Sequence, residues 1–333
     1  MRFLAAKDGP HSDAERAYPP SDATVSNTQP IPKILHHVYL DGLDRLKRAE
    51  NNEGAKPGQK FPGYNVTWRH SCHIVHNHWQ YMFWNNSQAE NLIRTAYPWF
   101  FATFQSYNNY VQKGDALRPF LMHAIGGLYL DIDVECFSPT DPLLSGREIV
   151  LQLEDSSPKS LNNAVMASVP GHPFWIKVVQ LMLNRGSTAN ARNFFGLRDL
   201  GTVLRTTGPY TFRDAFRDFS EEAGGLQESW AGHWLIRNTS FHIYPMGQWF
   251  EPCKWDDYKC HANIQAADEL PSKLVGHHIN SGAWLKDLKQ HNRKLVGAWL
   301  LAGTLCFSCI FSCWKIRHKA VLPQMTSLSP YFI

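Results

Sequence analysis

The stretch KGDALRPFLMHAIGGLYLDIDVECFSPTDPLL, residues 113–144, organises the reading of this chain. Leu117, Phe120, Leu121, Ala124 and Ile125 recur at helical spacing, which predicts a helix over 115–125. Gly126-Gly127 ends it, because glycine takes the left-handed backbone angles of a helix C-cap. Residues 128–132 are a short apolar run and read as a strand with Asp131 and Asp133 at its exit. Open α/β folds bind ligands at the carboxyl ends of their strands. Two acids one residue apart suit a hard divalent cation that keeps part of its water and binds a diphosphate. Asp115 and Arg118 share the helix face near that exit, and a guanidinium fork can hold a diphosphate or sugar hydroxyls. The competing reading is a surface ion pair beside a structural turn. The convergence of helix, glycine pair and acid pair on one edge favours a site.

Outward from this block the pattern alternates. Residues 34–40 read as a buried strand, 66–76 as a helix and 79–84 as a second strand. A helix over 87–96 opens with Ser87 and Glu90 in a capping-box pattern. Beyond the central block, strands are expected over 148–153, 162–168 and 241–246, and helices over 174–183 and 210–219. Strands alternating with helices predict an α/β fold. His36 and His37 lie near a strand exit and could reach a nucleotide, but buried packing is the commoner role for such residues. His70, Cys72, His73, His76 and His78 cluster without the paired spacings of a structural zinc site.

Composition narrows the class. The formal charge is +4 and there is no dense basic run with interleaved aromatics, which argues against a nucleic-acid partner. Residues 1–30 are polar and aperiodic, and read as a disordered lead without an apolar core of signal-peptide length. Residues 295–314 carry no charge and are bracketed by Arg293 and Lys294 before and Lys315 after. That length and bracket predict a transmembrane helix, with a short tail over 315–333; a buried core helix is the alternative. Cys253 and Cys260 would close a small disulfide loop in an oxidising lumen or stand as two thiols. Sequons at Asn65, Asn85 and Asn238 would fit the same lumen.

The order IPKILHHVYL (31–40), the central block, LNNAVMASVPGHPFW (161–175), TTGP (206–209) and HHINSGAW (277–284) resembles the DxD-containing sugar transferases of glycosyltransferase family 32. Fungal members of that family include an initiating α-1,6-mannosyltransferase of N-glycan outer chains and the inositol-phosphoceramide mannosyltransferases. The resemblance implies a single GT-A-like nucleotide-sugar-binding domain over 31–292, α/β with a mixed central sheet, and a retaining transfer. It implies a divalent metal, Mn2+ by preference and Mg2+ otherwise. It also implies a nucleotide-sugar donor (GDP-mannose favoured) and a glycan or glycolipid acceptor; with the segment 295–314 as anchor, the expectation is a single-pass membrane protein of the Golgi or ER with a lumenal catalytic domain. By carry-over, Asp131, Asp133 and His278 would hold the metal. Asp115, Arg118, Asn163 and Trp284 would bind the donor, and Asp131, Asp133 and Arg118 would carry the catalysis. The last motif departs from the family in placing Ala283 before Trp284, which leaves Ser281 as the substitute hydroxyl. Two rival readings stay open: a glucosyl- or galactosyltransferase of the same fold, and a catalytically silent sugar-binding partner subunit.

Overall fold

The computed structural model describes residues 30–40, 66–107, 109–154, 159–192, 200–221, 229–254, 256–266, 274–280 and 292–294. The chain divides into two compact units, Met1–Phe194 with Leu200–Ala283, and Phe195–Asp199 with Trp284–Ile333. Of the second, only a helical turn over 292–294 is described. The expected lead, residues 41–64, Ser281, Ala283, Trp284, the apolar segment 295–314 and the tail lie outside the described residues. Among those described, no helix is long and apolar enough to cross a membrane.

In chain order the elements are β1 (Ile34–Val38), α1 (Val66–Val75), β2 (Gln80–Trp84), α2 (Asn86–Ala96), α3 (Pro98–Ser106), α4 (Tyr110–Ala124), β3 (Gly127–Leu130) and β4 (Val134–Cys136). Then come α5 (Asp141–Leu144), β5 (Ile149–Gln152), β6 (Val165–Ser168), α6 (Pro173–Arg192), α7 (Leu200–Thr206), α8 (Pro209–Glu221), β7 (Gly232–Ile236), β8 (Thr239–Tyr244), α9 (Tyr258–Ala266) and β9 (Gly276–His278). Seven strands form one sheet in the order β2-β1-β3-β6-β5-β8-β7, and β4 pairs with β9 in a second. The sheet is mixed, as expected: β1 runs parallel to β2 and β3, β6 runs antiparallel to β3 and β5, and β5 runs parallel to β8.

The central strands read as unbroken apolar runs because both faces are covered. Tyr129, Met166, Ile149 and Leu151 face a core completed by Phe100, Phe120, Trp175 and Phe216 from the helices. Their neighbours Leu128, Leu130, Val165 and Val150 face a second core with Leu35, Trp79, Trp249 and Phe250. This is the period-two alternation of a strand, with each side apolar.

Several boundaries differ from the sequence reading. The helix expected to start at Asp115 starts at Tyr110, capped by the Asn109 side chain, so Asp115 and Arg118 lie mid-helix. The capping box of α2 is built by Asn85 and Gln88 rather than Ser87 and Glu90, because the Asn85 carboxamide reaches the first free amide and Gln88 reaches back. The strand expected to run to Ile132 stops at Leu130. Asp131 still donates its amide to Ala164 (2.9 Å), and its carbonyl then accepts from Val134 (3.1 Å), so Asp131, Ile132 and Asp133 form a turn between the two sheets. Gly126 and Gly127 both have positive φ (71° and 98°), and a Cβ on either would meet the carbonyl of Ser168 or Ile34. Only glycine lets α4 fold back so tightly onto the sheet. The short pieces α7, β4, β7, α9 and β9 have no periodicity that reveals them in the sequence.

His36 settles into packing. Its Nε2 lies 2.8 Å from the Gly126 carbonyl and its Nδ1 accepts from the Trp84 indole at 3.0 Å. Burial pulls its pKa down to about 4 and that of His37 to about 3, so both are neutral. Cys72, read within a histidine cluster, is bonded to Cys136, which ties α1 to the end of β4. The Cys253–Cys260 disulfide is formed.

Candidate active site at the exit of strand β3

The site follows from the register of the sheet. β3 ends at Leu130, opposite the start of β6 at Val165, so Asn162 and Asn163 meet the exit that carries Asp131. The second half of the site is distant in sequence. Val134 pairs with His278 across the small sheet, and the Ile279 amide donates to the Asp133 carbonyl at 3.0 Å. Gly276 makes this passage fit, since a Cβ there would overlap the Phe250 ring and the Glu135 carbonyl.

Arg118 is the buried centre of one half. One of its terminal nitrogens (NH2) lies 2.9 Å from both Asp115 Oδ1 and Asp131 Oδ1. The other donates to the Asn163 carbonyl at 2.7 Å, and the guanidinium carbon sits 5.0 Å from the centre of the Tyr129 ring. Burial works against its charge, but Asp131 and Asp115 outweigh that and raise its pKa further. Asn163 also donates to Asp115 at 3.2 Å. Burial pushes the Asp115 pKa up to about 7 although Arg118 pulls it down. Asp131 is likewise raised by burial against the pull of Arg118, and it accepts a short hydrogen bond from the Tyr129 hydroxyl.

His278 is the centre of the other half. Its Nδ1–H donates to Glu251, which is buried and also receives Asn162 Nδ2. Its Nε2 points at Asp133 Oδ1, 3.6 Å away. Burial lowers the His278 pKa, but Glu251 and Asp133 outweigh it and raise it to about 10. Burial raises the pKa of Glu251. Glu251 was missed in the sequence: it lies in a loop after β8, and only the strand pairing of His278 brings it in.

One donor atom each from Asp131, Asp133 and His278 lies within 4.8 Å of the others. Asp131 and Asp133 remain 23% and 14% exposed, enough for a ligand to reach them. Four carboxyl groups (Asp115, Asp131, Asp133, Glu251) stand against one arginine and one histidine. Two oxygens, one imidazole nitrogen and this acidic excess fit a divalent cation. The Glu251 carboxylate behind the histidine is the usual outer partner of a metal-binding imidazole. Of the residues expected in the site, Asp115, Arg118, Asp131, Asn163, Asp133 and His278 come together; Trp284 is not described.

Residues 62–150 match the family described as glycosyltransferase sugar-binding region containing DXD motif. Over those residues the chain is similar to the DXD-containing sugar-binding region of glycosyltransferases, and over a longer stretch it is similar in sequence to fungal inositol phosphoceramide mannosyltransferases. It is 33% identical over 227 residues to mannosyl phosphorylinositol ceramide synthase CSH1 of Saccharomyces cerevisiae, covering 67% of this chain and 53% of that protein. It is 29% identical over 232 residues to inositol phosphoceramide mannosyltransferase 3 of Schizosaccharomyces pombe, covering 66% and 56%. The chain thus spans about half the length of these curated relatives. Among solved structures, PaToxG Glycosyltransferase aligns with a TM-score of 0.38 at 16% identity, over 57% of this chain and 70% of that one, a likeness too low to build on.

Proposed function

We propose that this protein is a GT-A-like, metal-dependent retaining mannosyltransferase that moves mannose from GDP-mannose to an inositol-phosphoceramide-type glycolipid. The observation that carries the reading is the convergence of Asp131, Asp133 and His278 within 4.8 Å beside the Asp115–Arg118 pair. The acceptor class and the sugar come from the names of the relatives, two of which are inositol phosphoceramide enzymes. Asp131, Asp133 and His278 would hold the cation, manganese by preference. When bound, it would neutralise the diphosphate leaving group as a Lewis acid. Arg118 holds Asp131 in place and keeps fixed positive charge near the departing diphosphate. Asp115 and Asn163 line the same edge, where a donor sugar would lie. Transfer with retention and no carboxylate nucleophile would use the front face of the sugar, with the leaving phosphate as base. Membrane anchoring through residues 295–314 and a lumenal location in the Golgi or ER complete the proposal.

The test is transfer by the purified full chain in detergent, with manganese, a panel of nucleotide sugars and inositol phosphoceramide. Mannosylated lipid formed from GDP-mannose alone supports the reading. Turnover of UDP-glucose or UDP-galactose instead would reassign the sugar. Nucleotide-sugar binding without turnover of any donor would point to the silent partner subunit.

A further inference from the structure

His277 and His278 are neighbours on β9 but serve different clusters. His278 faces the acids. His277 is fully buried and pairs with His261 of α9, its Nε2 2.7 Å from His261 Nδ1 with the two rings nearly parallel at 12°. His261 Nε2 lies 3.0 Å from the Lys254 carbonyl, which can only accept, so His261 carries its proton on Nε2. Its Nδ1 then accepts from His277 Nε2–H, and His277 Nδ1 is left as a buried lone pair with no partner among the described residues. In this pairing both imidazoles are neutral, the charge state that metal binding needs, and His277 becomes a ligand beside His261 once its proton passes from Nε2 to Nδ1. Cys253 completes the group: one donor atom each from Cys253, His261 and His277 lies within 4.8 Å of the others, and all three residues are buried. The sulfur is tied up in the bond to Cys260.

We infer that Cys253, His261 and His277 form a latent zinc site that the Cys253–Cys260 disulfide keeps closed. The donor set is one sulfur and two imidazoles, the soft-to-borderline set of zinc, whereas the neighbouring cluster of Asp131, Asp133 and His278 offers two carboxylates and one imidazole. Opening the site takes a dithiol reductant. It gives two electrons and two protons to the disulfide, producing the thiols of Cys253 and Cys260, and is itself oxidised to its disulfide. Zinc then displaces the Cys253 thiol proton to solvent and binds the thiolate and the two neutral imidazoles, with the fourth position left to water. The disulfide thus keeps a soft-metal trap shut one residue away from His278. This inference stands apart from the transferase reading, since it uses none of the residues assigned to donor or acceptor.

Cys260→Ser in the full chain frees the Cys253 thiol while Cys72–Cys136 stays oxidised. Cobalt(II) is the probe, because a thiolate ligand gives it a charge-transfer band that carboxylates and imidazoles do not. The variant should take up cobalt with that band, lose the band to zinc, and bind zinc about a thousandfold tighter than the oxidised wild type does. With Cys306, Cys309 and Cys313 replaced by serine in every sample, the oxidised protein should show no band, and His277→Ala added to Cys260→Ser should abolish it. A folded Cys260→Ser protein without the band overturns the inference, as does a band that survives removal of both His261 and His277. If Cys260→Ser does not fold, the wild type reduced by a dithiol under native conditions, with its thiols counted, carries the same test. A folded sample with free Cys253 and no band then overturns the inference.

Discussion

Asp131 and Asp133 stand one residue apart, yet the fold treats them differently. Asp131 is held by Arg118 and by the Tyr129 hydroxyl, and it closes the ladder between β3 and β6. Asp133 lies past the turn, faces His278 across 3.6 Å, and belongs to the small sheet. One acid is paired with an arginine of the neighbouring helix, and the other faces a histidine brought in by a distant strand. A sequence motif that names two equivalent acids therefore hides a difference in surroundings: the first is tied to Arg118 and the β3–β6 ladder, and the second faces His278 of the small sheet.

Four experiments press on this contrast. Arg118→Met should have the largest effect, because it leaves Asp115 and Asp131 buried without their cation. A loss of about 3–5 kcal/mol in urea unfolding is expected, along with loss of transfer. A stable, active variant would show that Asp131 does not need the arginine. Asp133→Asn should instead leave the unfolding midpoint within about 1 kcal/mol of wild type while lowering kcat/KM roughly 100- to 1,000-fold. If the variant unfolds as readily as Arg118→Met, Asp133 is scaffold too and the contrast fails.

Glu251→Gln removes the charge behind His278 and keeps the shape. Manganese affinity, read by electron paramagnetic resonance, should fall about 10- to 100-fold. An unchanged affinity would mean that His278 is not a ligand. The smallest effect concerns pH. His36, His37 and His172 are buried, and burial holds their pKa values at about 4, 3 and 3 against an ordinary 6.5. The unfolded chain binds more protons below pH 6.5, so stability rises with pH and is lost as pH falls through 6.5. Between pH 7.5 and 6.5 the three together should cost about 1 kcal/mol, offset in the overall Tm by Asp115 and His278, whose raised pKa values favour the folded state as pH falls. Site variants are best compared above this range, where scaffold titration does not add to the site's own. An imidazole among the three that titrates near 6.5 in the folded protein, read residue by residue by NMR, would show that it is not buried neutral.

Much of the scaffold was legible because it rests on local chemistry. The apolar runs at 34–40, 148–153 and 162–168 read as strands since both faces of a central sheet must be apolar. The glycine pair at 126–127 read as a helix end since its backbone angles exclude other residues. Asp115, Arg118, Asp131 and Asp133 could be gathered into one site because they are close in sequence and bracket one turn. Their roles could not be separated this way. Which of two acids meets an arginine depends on the register of β3 against β6, and that is a non-local pairing.

Glu251 and the Cys72–Cys136 bond were out of reach for the same reason. A glutamate in an aperiodic loop and two cysteines separated by 64 residues carry no spacing rule. They acquire meaning when β9 returns to pair with β4 and α1 packs on that strand's end. Residue types and short spacings therefore set the class of chemistry, an acidic site at a strand exit. Long-range strand pairing assigned the roles, because contacts between segments 100 residues and more apart are fixed by how the sheet closes and leave no periodic trace in the chain.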